Sequence, residues 1–211
     1  MTGGLDYLGP PGAGAARRQR DLILNAALEI LREHGFEALT VAQIATHSGV
    51  SVRTVNSLFE DPRECIAAAF EDAVTVIEAC VLACHRRARE DPLEGTRDGL
   101  TATLVFLDEQ PELAWLCLVY GPACPQLLLR CRELTDKLTQ AIDRALLPAA
   151  IGEPPPWTAH TVVGAVLGAV RARLIDGPGR LSTMSGQLMG MIVLPYLGPD
   201  AAQEELMRRT Q

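Results

Sequence analysis

Residues 40–59, TVAQIATHSGVSVRTVNSLF, constrain this chain more than any other stretch. Thr40 is a good N-cap, and Ile44 and Ala45 give the turns after it one apolar face. Ser48-Gly49-Val50 interrupts that pattern. Gly49 can take the left-handed backbone of a sharp turn, and Val50 can plug the corner. Ser51 then caps a second helix in which Val55 and Phe59 point inward, one turn apart. Val52, Arg53, Thr54, Asn56 and Ser57 remain on the outer side, where short or polar side chains suit phosphates and base edges. The pattern is a helix-turn-helix, although a helical hairpin with a glycine turn shares its bare outline.

The residues ahead of it complete a three-helix unit. Residues 21–34 form an amphipathic helix with Leu24, Ala27, Leu28 and Leu31 on one face, Gly35 at its C-terminal end and Phe36 as a core anchor. Residues 1–16 carry five Gly and two Pro without periodicity and read as a flexible tail. Arg17, Arg18 and Arg20 lie between tail and helix. They read equally as a solvated helix start or as an arm reaching a phosphate backbone.

Taken together, Ile23-Leu24, Ala26-Ala27, Gly35-Phe36, Thr40-Val41, Ile44-Ala45, Gly49-Val50-Ser51, Thr54-Val55 and Phe59 resemble the N-terminal domain of TetR-family transcriptional repressors, over about residues 17–70 and without insertions. The resemblance implies an all-α homodimer. Residues 17–61 would be the helix-turn-helix DNA-binding domain, gripping a palindromic double-stranded operator. Residues 62–211 would form a helical ligand-binding and dimerisation domain. By the same resemblance Arg17, Arg18, Arg20, Thr40, Ser51, Val52, Arg53, Thr54, Asn56 and Ser57 are the candidate DNA contacts.

Three positions depart from the family pattern, which places Tyr where this chain has Asn56, His or Tyr at Leu58, and Lys at Pro62. Those family residues hold phosphates. Here Asp61-Pro62-Arg63-Glu64 makes a capping-box-like helix start that presents carboxylates instead. From residue 15 to 60, Arg17, Arg18, Arg20, Arg32 and Arg53 balance Asp21, Glu29, Glu33, Glu37 and Glu60. A neutral head releases few counterions, so generic DNA affinity is low.

Downstream, residues 63–89 read as a long helix with Ile66, Phe70, Ala73, Val74, Ile77 and Val81 on one face; Asp91-Pro92 breaks it. Further helices follow over residues 93–110, 111–120 and 125–147, the second apolar nearly all round, and Pro154-Pro155-Pro156 is a rigid linker. Val74, Ile77, Leu104, Leu107, Trp115, Leu118, Leu128 and Val162 are the expected lining of an apolar cavity for a small hydrophobic effector. The last pair spans 158–175 and 181–197, before a Gly198-Pro199 stop and a polar tail. Gly164, Ala165 and Gly168 on the first, with Leu188, Met191 and Ile192 on the second, allow close helix approach. Packing within one chain accounts for such a surface; the resemblance implies a dimer interface.

Composition limits the other classes. The net charge of −7 excludes a uniformly basic coat, and no apolar run reaches the roughly 20 residues of a membrane span, so a cytoplasmic protein is expected. Cys65, Cys80, Cys84, Cys117, Cys124 and Cys131 fall mostly in apolar helical pattern and read as reduced thiols. Cys80, Cys84 and His85 do not complete a four-ligand set, so neither metal nor cofactor is expected. HExxH, Gly-x-Ser-x-Gly, the phosphate loop and the dinucleotide fingerprint are all missing, so a regulator is the expected function and an enzyme the less favoured alternative. The nearer alternative is a TetR-like protein with weakened operator binding that serves as a protein-interaction module.

Overall fold

Local signals set the N-terminal helices. Gly14–His34 (α1) buries Ala27 together with Ile23, Leu24, Leu28, Ile30 and Leu31, each of these five Ile and Leu side chains stabilising the fold by about 1.5–3 kcal/mol when taken out of water. Val41–Ser48 (α2) is capped by Thr40, whose Oγ1 accepts the Gln43 N–H at 3.2 Å; Gly49 closes it in the left-handed conformation at φ 67°. A side chain there would be strained. Val52–Leu58 (α3) is capped by Ser51, which accepts the Thr54 N–H at 3.1 Å.

The computed structural model describes residues 14–87, 91–177 and 179–208, with the side chains of 14, 15 and 84–87 left out. Among these residues every regular element is helical, as the sequence implies. The expected tail falls mainly on residues 1–13, outside the described residues, and α1 begins at Gly14 rather than Asp21. The polar run from Arg17 to Arg20 carries no apolar period, yet it continues the helix.

The body follows as Pro62–Arg87 (α4), Pro92–Glu109 (α5), Pro111–Trp115 (α6), Pro125–Leu146 (α7), Thr158–Asp176 (α8) and Ser185–Met207 (α9). Proline stands at the first position of α5, α6 and α7, where its missing N–H costs nothing. Asp61 Oδ1 accepts the Arg63 N–H at 2.7 Å, and Glu64 turns back to the Glu60 N–H at 2.8 Å. Asp91 Oδ1 accepts both Leu93 and Glu94 N–H. After α6 the chain widens into a π-helical turn, Leu116–Tyr120, then tightens into a 3₁₀ turn, Gly121–Ala123.

The apolar core runs past residue 61 without a gap. One cluster joins Ile23, Leu31, Ile44 and Val55 to Phe70 and Val74 of α4 and to Leu113, Leu116 and Leu127 of the body. A second gathers Leu146, Met189, Val193 and Tyr196; a third gathers Leu104, Leu107, Leu118 and Leu188. Leu100 and Val166 pack against both of these, which sets them on either side of a shared space.

The C-terminal end differs from the expected stop and polar tail. The backbone leaves the helix at Gly198 (φ 81°, ψ −178°), but a further helical stretch continues to Met207. Pro199 serves that stretch as a first residue. Glu205 is 2% exposed because Arg97 reaches it from α5, with Nη2–Oε1 at 2.6 Å and Nε–Oε2 at 2.9 Å. Helix α8 is long and apolar enough, by length and composition, to cross a membrane. Here it packs against α7 and α9, with Val162, Val163 and Val170 buried.

Candidate functional site

Two surfaces can carry function, and one segment lies between them. The first is the outer face of α3. Val52, Arg53, Asn56 and Ser57 are exposed, while Val55 (1% exposed) and Phe59 hold the helix to the core. Arg53 and Asn56 have no side-chain partner among the described residues, so their donors are available to a ligand. Ser51, Thr54, Ser57 and Thr40 are already engaged. Ser51 Oγ and Thr54 Oγ1 share a hydrogen bond of 2.8 Å, Ser57 donates to Thr54 O, and Thr40 caps α2. Leu58 also stands exposed beside them.

The three arginines ahead of α2 do not act alike. Arg20 Nη1 pairs with Asp72 Oδ2 of α4 at 2.6 Å. Arg17 is half-buried, with Nη2 buried and no partner among the described residues; Asp21 Oδ1, one turn on, is likewise buried. Burial pushes the Asp21 carboxyl up, against the pull of Arg17 and Arg20. Only Arg18 stands exposed and without a partner among the described residues.

The second surface is a half-open apolar pocket in the body, with about 860 Å³ of empty space once the solvent at its mouth is included. Ile77 and Val81 of α4, Gly95, Gly99, Thr103 and Leu104 of α5, and Leu138 and Ala141 of α7 form its near walls. Val163, Val166, Leu167 and Val170 of α8, with Ile192 of α9, close the far side. The lining holds no charged side chain. Its hydroxyls are spent inside α5: Thr96 donates to Pro92 O and Thr103 to Gly99 O, both at 2.8 Å.

Of the eight residues expected to line a cavity, Ile77, Leu104, Leu107 and Leu118 do so. Val74 is buried in the core shared with the head, and Trp115 sits beside Tyr120 with ring centroids 6.3 Å apart. Leu128 is 53% exposed on the outside of α7. Val162 packs into the Tyr196 cluster, one residue and so about 100° of helix away from the wall residue Val163. The stripe Val163, Val166, Leu167 and Val170 has helical spacing, and that signal in the sequence could have found the wall.

The segment between is the π turn. Leu118 lines the cavity; two residues later Tyr120 meets Phe36 of the head edge-on, with centroids 6.0 Å apart. Leu116 belongs to the head's core cluster. A Cβ on Gly121 would meet Leu116 O and Phe70 Cε2 at 3.0 Å, so any side chain here would force its neighbours to give by a few tenths of an ångström. Arg32 of α1 lies 3.7 Å from Glu112 of α6.

On the outer face of α8 and α9, Gly164, Ala165, Gly168 and Met191 are exposed, and a Cβ on either glycine would meet nothing within 4 Å. Leu188 and Ile192, expected on the same surface, are instead buried inside the chain against the third and second clusters. They face inward because Met191 takes the outward position of that turn. Cys65, Cys80, Cys117, Cys124 and Cys131 are free thiols, and the side chains of Cys84 and His85 lie outside the described residues. Among the described residues no three of His, Cys, Asp or Glu are grouped to hold a metal ion.

Residues 23–69, from within α1 to the first turns of α4, match the profile of bacterial regulatory proteins, tetR family. The N-terminal segment is thus similar to bacterial regulatory proteins of the tetR family. No match was found among curated proteins. Solved structures share the fold over nearly the whole length. A TetR-like transcriptional regulator from Rhodococcus sp. RHA1 superposes with a TM-score of 0.70 at 17% identity, covering 87% of this chain and 97% of that one. SmeT, the repressor of the Stenotrophomonas maltophilia multidrug efflux pump SmeDEF, gives 0.70 at 19% identity, covering 86% and 92%. AibR, solved with isovaleryl coenzyme A and operator DNA, gives 0.63 at 14% identity, covering 84% and 100%.

Proposed function

We propose that this chain is a dimeric TetR-family repressor that leaves a palindromic operator when a small apolar molecule fills the body cavity. One observation carries the reading: Leu118 stands in the cavity wall and Tyr120, two residues on, touches Phe36 of the head. A molecule that displaces Leu118 moves the π turn, and with it the seat of α1 to α3. Release requires tighter binding to the released conformation than to the DNA-bound one. AibR binds an acyl thioester and operator DNA on the same fold, which supports both halves of the proposal.

In this reading residues 17–61 bind DNA, and residues 62–211 bind ligand and dimerise through the open face at Gly164, Ala165, Gly168 and Met191. Gly168→Glu would place a charge at that contact, so sedimentation velocity should show monomers. On α3, Arg53 is the one cation, reading a guanine edge or flanking phosphate. Duplexes selected from a random pool should bind Arg53→Ala about 1–3 kcal/mol more weakly. Equal binding would remove Arg53 from the interface.

A weakened head, serving protein contacts instead, is the second reading. The pairing of Arg20 with Asp72 favours it, because a phosphate must then compete with a carboxylate. Failure to enrich any duplex from the pool would establish that reading.

A further inference from the structure

We infer that the effector is an anionic amphiphile, with its aliphatic chain in the apolar cavity and its anionic head held at the mouth by Arg144. The inference rests on the proposed effector role of that cavity. An anionic group there finds no free donor, since the Thr96 and Thr103 hydroxyls give their protons to α5 carbonyls and no charged side chain lines the wall. An anionic end must therefore leave the cavity. A second space, about 660 Å³, adjoins the first and shares Val81, Leu138 and Ala141 with it.

The second space is polar where the first is not. Glu78, Lys137, Gln140 and Arg144 line it. Arg144 follows Ala141 by three residues on α7, about 4.5 Å of helix rise, and so stands beside the shared wall. The charges there are not equivalent. Glu78 Oε1 already takes Lys137 Nζ at 2.6 Å and lies 3.5 Å from Arg130 Nη2. Its negative charge is satisfied, and a cationic ligand gains little from it. Arg144 has only the Gln140 amide oxygen, at a long 3.4 Å. Arg18 and Arg53 also lack an acidic partner, but they lie on the head, whereas Arg144 lines the space beside the cavity. The planar fork of Arg144 matches a carboxylate or a phosphate. The shared chemistry is an anion at the end of an alkyl chain, and either a free fatty acid or an acyl thioester with phosphates supplies it.

Calorimetry of the full-length protein with decanoate, decanol, decylamine and decanoyl coenzyme A tests this. Decanoate should bind about tenfold more tightly than decanol, and decylamine more weakly than either. Arg144→Gln should reduce decanoate affinity about tenfold and leave decanol unchanged. A larger loss for decanoyl coenzyme A than for decanoate would assign the head to phosphate; a loss for decanoate alone would assign it to carboxylate. Equal binding of decanoate and decanol, with no effect of Arg144→Gln, would overturn the anionic head and leave the cavity standing. The cavity itself is tested by Leu167→Trp, which fills the wall. If no ligand binds the parent, or if Leu167→Trp binds all of them unchanged, the effector site is elsewhere.

Discussion

In the head, helix ends are tied by side chains a few residues away: Thr40 takes the Gln43 N–H and Ser51 takes the Thr54 N–H. In the body, local caps such as Asp91 are joined by ties between residues far off in sequence. Asp108 on α5 accepts the Leu181 and Ser182 N–H groups ahead of α9, at 2.6 and 3.0 Å, and Arg97 holds Glu205. The difference teaches where each part can move. A head with its own caps keeps its shape while its seat on α4 and the π turn shifts, whereas opening the body costs several distant ties at once.

The largest test of this contrast is Glu205→Ala. It leaves Arg97 facing a buried gap, and we expect a loss of about 3 kcal/mol in urea unfolding, less whatever water recovers at its 20% exposed side chain. A loss under about 1 kcal/mol would mean the last stretch of α9 is not held by the pair.

Asp108→Ala comes next, at about 2 kcal/mol, because two N–H groups lose their acceptor. It also carries a pH signature. Burial alone would raise the Asp108 carboxyl, but hydrogen bonds from Ser182 and Leu181, with Arg180 beside it, outweigh that and hold it below the usual 3.8. A depressed folded pKa means the stabilisation is present above the unfolded value and is lost as pH falls through the folded one. The parent should therefore lose stability below about pH 4 in a step that Asp108→Ala lacks.

Ser51→Ala should cost about 1 kcal/mol and act on the head alone. Amide exchange should then rise in α3 and stay unchanged in α5 and α8; exchange rising throughout would break the contrast. The smallest effect is on thiol chemistry. Burial pushes Cys65, at the joint of head and body, up to about 12. At pH 8 about one molecule in ten thousand is thiolate there, so Cys65 should label far more slowly than half-buried Cys124. Equal rates would report an open joint.

The same contrast governs what the sequence could reveal. Caps, the Gly49 turn and the inward pair Val55 and Phe59 depend on neighbours within a few residues, so they were legible. The all-α class came with the family resemblance that these same residues carry. The cavity depends on which side of a helix meets a partner dozens of residues away. Val162 and Val163 are equally apolar, and only the packing of α8 against α7 and α9 distinguishes them. Leu128 has the right spacing but faces solvent, and Leu188 and Ile192 turn inward while Met191 turns out. Arg20 looked like a phosphate contact until Asp72 met it across the fold. Glu205 read as solvent-facing because its partner lies 108 residues away.

The central claim is that the cavity and the head are coupled through the π turn. The direct measurement is the affinity for a duplex selected by the protein itself, with and without whichever of decanoate or decanol calorimetry finds in the cavity. The account predicts a fall of at least about tenfold at saturation, absent in Leu167→Trp. A ligand that saturates the cavity and leaves duplex affinity unchanged would contradict it.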